Sequence, residues 1–92
     1  MSINRAQVRE ALFDYFQTED FSDQDHLEKD QDKGSVTMMM AHIIEALSLP
    51  SVYVEEGGDR ASLRAVVSQE VRLMSQRHLC RRVRWGRYRP HK

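Results

Sequence analysis

The chain has 92 residues, with 14 Lys and Arg against 14 Asp and Glu and a single cysteine, Cys80. That length holds one domain with a small core, and one cysteine excludes an intramolecular disulfide framework and a cysteine-based structural zinc site, so a reducing compartment is expected. The polar opening MSINRAQVRE is unlike a secretory signal and no apolar run approaches a membrane span, so the expectation is a soluble, cytoplasmic protein with no membrane partner.

Residues 1–17 open with a candidate cap, Ser2, and set Val8, Leu12, Tyr15 and Phe16 at helical spacing, which predicts an N-terminal amphipathic helix. Residues 18–34 are acidic and polar, with only Phe21 and Leu27 as apolar anchors, and read as a loop or linker. Ser35 then caps VTMMMAHIIEAL, where Val36, Met39, Met40, Ile43, Ile44 and Leu47 make a full apolar stripe that Pro50 closes. Methionines at this spacing are core before they are an adaptable binding surface. Residues 51–54, SVYV, suit a small strand or an extended lead into a turn, which Gly57 and Gly58 supply.

Asp59 is a good cap for the next helix, RASLRAVVSQEVRLMSQR. Its inward stripe is Leu63, Val66, Val67, Val71 and Met74. The opposite face carries Ala61, Arg64, Ala65, Ser68, Arg72 and Ser75, residues that are small or cationic, while Glu70 lies nearer the apolar side. Beyond it, Leu79, Arg81 and Val83 alternate with Cys80 and Arg82 as in a strand. Arg84-Trp85-Gly86 supplies a turn, and Arg87-Tyr88-Arg89 returns antiparallel to Pro90.

The zero net charge hides a gradient. Residues 1–34 hold nine acids against four bases, a net of −5, and residues 59–92 hold ten bases against two acids, a net of +8. Such asymmetry points to an anionic partner for the basic part, or to an acidic part folded against it.

From residue 36 to residue 90 the order of elements resembles a winged helix-turn-helix domain. The resemblance rests on DRASLRAVVSQEVRLMSQRHLCRRVRWGRYRP, a capped helix with Ser62 near its start followed by a basic hairpin ending in Gly-Arg-Tyr. It implies an α+β fold of about three helices and a C-terminal β-hairpin. Residues 35–92 are then a winged-helix-like basic domain, and the first helix is an N-terminal extension. The complete motif has a helix between the Met-rich and the basic helices, where only residues 49–58 are available, a stretch with two glycines and two valines. A second resemblance lies at HLEKDQDKGSVTMMM, spaced like the segment around the phosphopantetheine-bearing serine of acyl carrier proteins. Ser35 stands in that serine's place, but with Gly-Ser-Val for the family's Asp-Ser-Leu.

Nucleic-acid contact has the strongest chemical case. Arg60, Arg64, Ser68 and Arg72 would face a groove, Arg81, Arg82, Arg84, Arg87 and Arg89 would contact phosphates, and Trp85 would stack on a base or sugar. Catalysis has little support, since His26, His42, His78 and His91 are scattered and Cys80 reads as a small buried strand residue. No catalytic residue, cofactor or metal ligand is assigned, and the acids of residues 19–32 read as solvated charge rather than a calcium loop.

The expectation is therefore a non-enzymatic DNA-binding regulator, DNA favoured over RNA, with a homodimer through Val8, Leu12 and Phe16 as a further expectation. The alternative is a phage- or plasmid-type inhibitor or adaptor docking on a host nucleoprotein complex. In the regulator reading Asp23, Asp25, Asp30 and Asp32 would cover the arginine face until nucleic acid displaces them.

Overall fold

A computed structural model describes residues 3–21, 31–53 and 59–90. The elements run α1 (Arg5–Thr18), α2 (Val36–Ala46), a 3-10 turn (Ser51–Tyr53), α3 (Arg60–Gln76), β1 (Cys80–Arg84) and β2 (Arg87–Pro90). This is the expected α+β arrangement of three helices and a C-terminal hairpin. Gly57 and Gly58 lie outside the described residues.

The cap of α1 is Asn4, not Ser2, which lies outside the described residues. The Asn4 side chain accepts from the backbone N–H groups of Ala6 at 3.0 Å and Gln7 at 3.3 Å, satisfying donors that the first turn leaves open. The apolar spacing then turns Val8, Leu12, Tyr15 and Phe16 inward. They meet Val36, Met39, Met40 and Ile43 of α2 and Leu63, Val67, Val71 and Met74 of α3 in one cluster. The N-terminal helix is thus a wall of the core, touching both α2 and α3. That placement removes Val8, Leu12 and Phe16 as a dimer face, because the chain buries them against itself.

The Ser35 hydroxyl accepts from Met38 N–H at 3.2 Å, so it caps α2 as expected. Ser35 is also 1 % exposed and bridges to Arg87, so it offers no hydroxyl for a phosphopantetheine arm. The helix stops before Pro50: it ends at Ala46 with Leu47 as its C-cap, and Ser48 follows in the left-handed region at φ 51°. Residues 51–53, expected with residue 54 as a small strand or an extended lead, form a 3-10 turn closed by Tyr53 N–H donating to Pro50 C=O at 3.0 Å. Pro50 fixes its own φ at the start of this turn. The segment has no neighbouring strand among the described residues, and the turn buries Tyr53.

Asp59 precedes α3 without a side-chain capping bond. At the other end, β1 and β2 pair antiparallel with Arg81 opposite Arg89, Arg82 opposite Tyr88 and Arg84 opposite Arg87. The register shifts between Arg82 and Arg84, which makes Val83 a bulge. Gly86 closes the turn at φ 72° with nothing within 4 Å of where a β-carbon would stand, so conformation alone calls for glycine there. The hairpin is anchored to the start of α2, where Tyr88 N–H donates to Gly34 C=O at 2.9 Å. Cys80 and Tyr88 face inward from the strands.

Candidate nucleic-acid interface

The face of α3 opposite its apolar stripe repeats every four residues, so Arg64, Ser68 and Arg72 rise along one side of the helix. The hairpin folds back beside that side. The two surfaces meet at a cleft of about 150 Å³ lined by Val36, Ser68, Gln69, Arg72, Arg82, Trp85, Gly86 and Tyr88. Four of the expected residues are therefore brought together: Ser68, Arg72, Arg82 and Trp85.

Trp85 stands at the hairpin tip, 85 % exposed. Water contact over so much apolar ring area is costly unless a partner covers it. Arg82 lies with its guanidinium carbon 5.8 Å from the Trp85 ring centroid, within cation–π range. Below them Tyr88 is buried. That burial raises its hydroxyl above the usual tyrosine value, while the Arg82 and Arg72 cations pull it down. The cations of helix and hairpin thus act on one point.

Arg64 lies one helical turn from Ser68, and its guanidinium donates to Thr37 Oγ1 at 2.9 Å, tying α3 to the first turn of α2. Arg84 is exposed beside the turn, and Arg87 is half-buried, its guanidinium making a long 3.4 Å contact to Gly86 C=O. Arg60 is half-buried at the start of α3, two turns before Ser68.

Arg81 and Arg89 are elsewhere. They line a different cleft, of about 610 Å³, with Phe13, Glu19, Phe21 and Leu79 among its walls. Arg89 donates to Phe21 C=O at 2.6 Å, lies 3.9 Å from Asp32 and sits 5.9 Å over the Phe21 ring. It ties the hairpin to the segment after α1 and has no free charge to offer a phosphate. The cause is the two-residue period of a strand: Arg81 and Arg89 are cross-strand partners, while Arg82 and Tyr88 point the other way. Reading the hairpin arginines as one surface overlooked that alternation.

Asp32 meets one hairpin arginine, Arg89, and does not line the α3–hairpin cleft. Its carboxylate accepts from Gly34 N–H at 2.7 Å inside a tight turn and faces Arg89. Asp23, Asp25 and Asp30 lie outside the described residues. Among the described residues, no group of three His, Cys, Asp or Glu side chains is placed to hold a metal ion. Cys80 is buried, its thiol donates to Val71 C=O at 3.7 Å, and burial pushes its pKa up to about 11. It is protonated at neutral pH and a poor nucleophile.

Four of the eight lining residues, Val36, Gln69, Gly86 and Tyr88, are not among the contacts expected from the sequence. Gln69 lies four residues after Ala65 and three before Arg72, a spacing that puts it on the small-and-cationic face. Its side chain accepts a hydrogen bond from Arg5, which brings a cation of α1 to the same surface across 64 residues of sequence. No local pattern announces that pair. Val36 was read only as core.

No protein-family model, curated protein or solved structure matches this chain. Nor is any helix among the described residues long and apolar enough to cross a membrane.

Proposed function

We propose that the protein is a small cytoplasmic nucleic-acid-binding protein, a non-enzymatic DNA-binding regulator of the winged helix-turn-helix type. The observation that carries this reading is the cleft where Arg72 of α3 and Arg82 of β1 flank Ser68 beneath the exposed Trp85. A duplex laid along α3 would meet small side chains, Ala61, Ala65 and Ser68, that let the backbone approach a groove. The hairpin would then bring Arg82 and Arg84 to the phosphates and Trp85 to a sugar or base. α1 supports the resemblance as well. With it, the core has three helices ahead of the hairpin, and α2 stands in the middle position that residues 49–58 could not fill.

The test is fluorescence anisotropy of a labelled duplex DNA and a matching RNA over a salt series, with the full chain and with an Arg72→Ala/Arg82→Ala variant. Each phosphate contact adds roughly 0.9 to the slope of log affinity against log salt on duplex DNA. The double variant is expected to lower that slope by about two such contacts and to weaken binding at every sequence alike. An absence of binding to both nucleic acids at low salt would overturn the reading.

A second reading is a phage- or plasmid-type inhibitor or adaptor docking on a nucleoprotein complex. It draws on the outer face of α1, where Glu10 and Asp14 lie about Phe13 beside the Glu70-paired Arg9 and no residue lines the cleft. Binding to an assembled nucleoprotein particle, with none to its naked nucleic acid, would favour it over the regulator.

A further inference from the structure

Beside the buried stripe of α1 lies an apolar strip that the chain leaves uncovered. Phe13 of α1, Leu73 of α3 and Leu79 of the turn before β1 are 38 %, 42 % and 41 % exposed. They are neighbours rather than scattered residues. Phe13, Met74 and Leu79 line one depression, and Leu73, Met74 and Leu79 line the next. A contiguous exposed strip with an aromatic at one end marks an interaction surface more often than isolated apolar residues do.

What flanks the strip identifies its occupant. On the α1 side, Phe13 shares a shallow surface with Glu10, Asp14 and Arg9, whose guanidinium is paired with Glu70. Both acids are exposed and have no ion pair among the described residues. On the other side stand the exposed cations Arg77, beside Leu73 and Leu79, and Arg81, beside Leu79. Two acids also line the Arg81 depression, Glu19 and Asp20, but Glu19 is paired with Lys33 and Asp20 also has a partner. Taken over the charges without an ion pair among the described residues, the surface runs acidic, apolar, basic. A partner with one sign of charge would match one flank and be repelled by the other. A second copy turned through a two-fold axis matches both, since the acids of each chain then face the bases of the other.

We propose that the protein forms a two-fold dimer through this strip, Phe13, Leu73 and Leu79 meeting at the centre and Glu10 and Asp14 facing the partner's Arg77 and Arg81. The dimer is weak and salt-sensitive, because the apolar area is small and the charges lie at its rim. No residue of this surface lines the α3–hairpin cleft, so the proposal stands apart from the nucleic-acid reading.

The experiment is analytical ultracentrifugation of the full chain over a concentration series at low and high salt, with two charge-reversal variants, Glu10→Arg/Asp14→Arg and Arg77→Glu/Arg81→Glu. These positions are exposed, so circular dichroism is expected to show both variants folded. The wild type is expected to pass from monomer to dimer as concentration rises, with the dimer weakened by salt. Each variant alone should stay monomeric, since two like-charged flanks meet. An equimolar mixture should dimerise again, because the all-basic and all-acidic surfaces complement each other at both rims. A wild type that stays monomeric throughout, or a dimer that survives both reversals, overturns the proposal.

Discussion

Gly34 stands so close to Tyr88 that a β-carbon on the glycine would lie 2.4 Å from the Tyr88 carbonyl oxygen. The contact is backbone against backbone, and it is where the hairpin is stitched to the chain entering α2: Tyr88 N–H donates to Gly34 C=O, and Ser35 bridges to Arg87. The candidate cleft lies between that hairpin and α3, so its shape depends on this seam.

Gly34→Ala is therefore expected to destabilise the fold by about 1–3 kcal/mol, the usual cost of forcing extra volume into a packed site. It should also weaken nucleic-acid binding by loosening the hairpin. Gly86→Ala makes the comparison. There the space is open and only the φ of 72° resists a side chain, for a cost nearer 1 kcal/mol. Thermal unfolding followed by circular dichroism would rank the two, and an equal or reversed ranking would contradict the steric account.

The Glu70 carboxylate is 1 % exposed and accepts from Arg9 at 3.0 Å. Removing Arg9 leaves a buried charge without its counterion, which costs more than the pair itself contributes. Since the Arg9 side chain is half in solvent, the expected loss for Arg9→Ala is about 1–2 kcal/mol, below the figure for a fully buried pair. Arg9→Ala/Glu70→Leu should recover much of it. Urea midpoints for the single and double variants would check this, and a double variant no more stable than Arg9→Ala would count against it.

Cys80 gives the fold a stability limit at high pH. Burial pushes the folded thiol up to about 11, while an unfolded thiol ionises near its ordinary value of 9.0. Because the unfolded chain loses its proton first, the contribution is complete below pH 9 and is lost as pH rises toward 11. Tyr15 and Tyr88 add to the decline above the ordinary tyrosine value of 10.0. Burial raises both, with Glu19 and Asp32 adding to the rise at Tyr15. Denaturant midpoints should stay level up to pH 9 and then fall. In Cys80→Ala the fall should begin only near pH 10. A wild-type midpoint unchanged from pH 8 to 10.5 would rule the linkage out.

The helices and hairpin were legible because each has a local signature. The Met-rich stripe, the apolar positions of α3 and the Trp85-Gly86 turn all sit within a few residues of what determines them. Position 51 to 53 misled, since SVY has strand composition but no strand to pair with, and Pro50 sets a turn instead. The candidate site was half legible. Helical spacing brought out Ser68 and Arg72, but the hairpin arginines divide between two clefts by strand alternation. What the sequence could not disclose was long-range: Arg9 with Glu70 at 61 residues' separation, and Arg89 with Phe21 at 68. Those pairs decide which charges are spent inside the fold and which remain for a partner.

Trp85 is the chain's only tryptophan, so its fluorescence reports on the hairpin tip alone. In the free protein it is expected to be readily quenched by iodide, and the Arg82 guanidinium beside it should draw the anion closer. Trp85→Ala removes no buried contact of consequence and should leave the unfolding temperature within a degree or two. Affinity should respond much more strongly, because stacking of one base on an aromatic ring is worth about 1–3 kcal/mol, or roughly five- to 150-fold. Added DNA should in turn shield the wild-type fluorophore from iodide. Binding that leaves quenching unchanged, together with wild-type affinity in Trp85→Ala, would remove the hairpin tip from the interface and leave α3 to account for recognition alone.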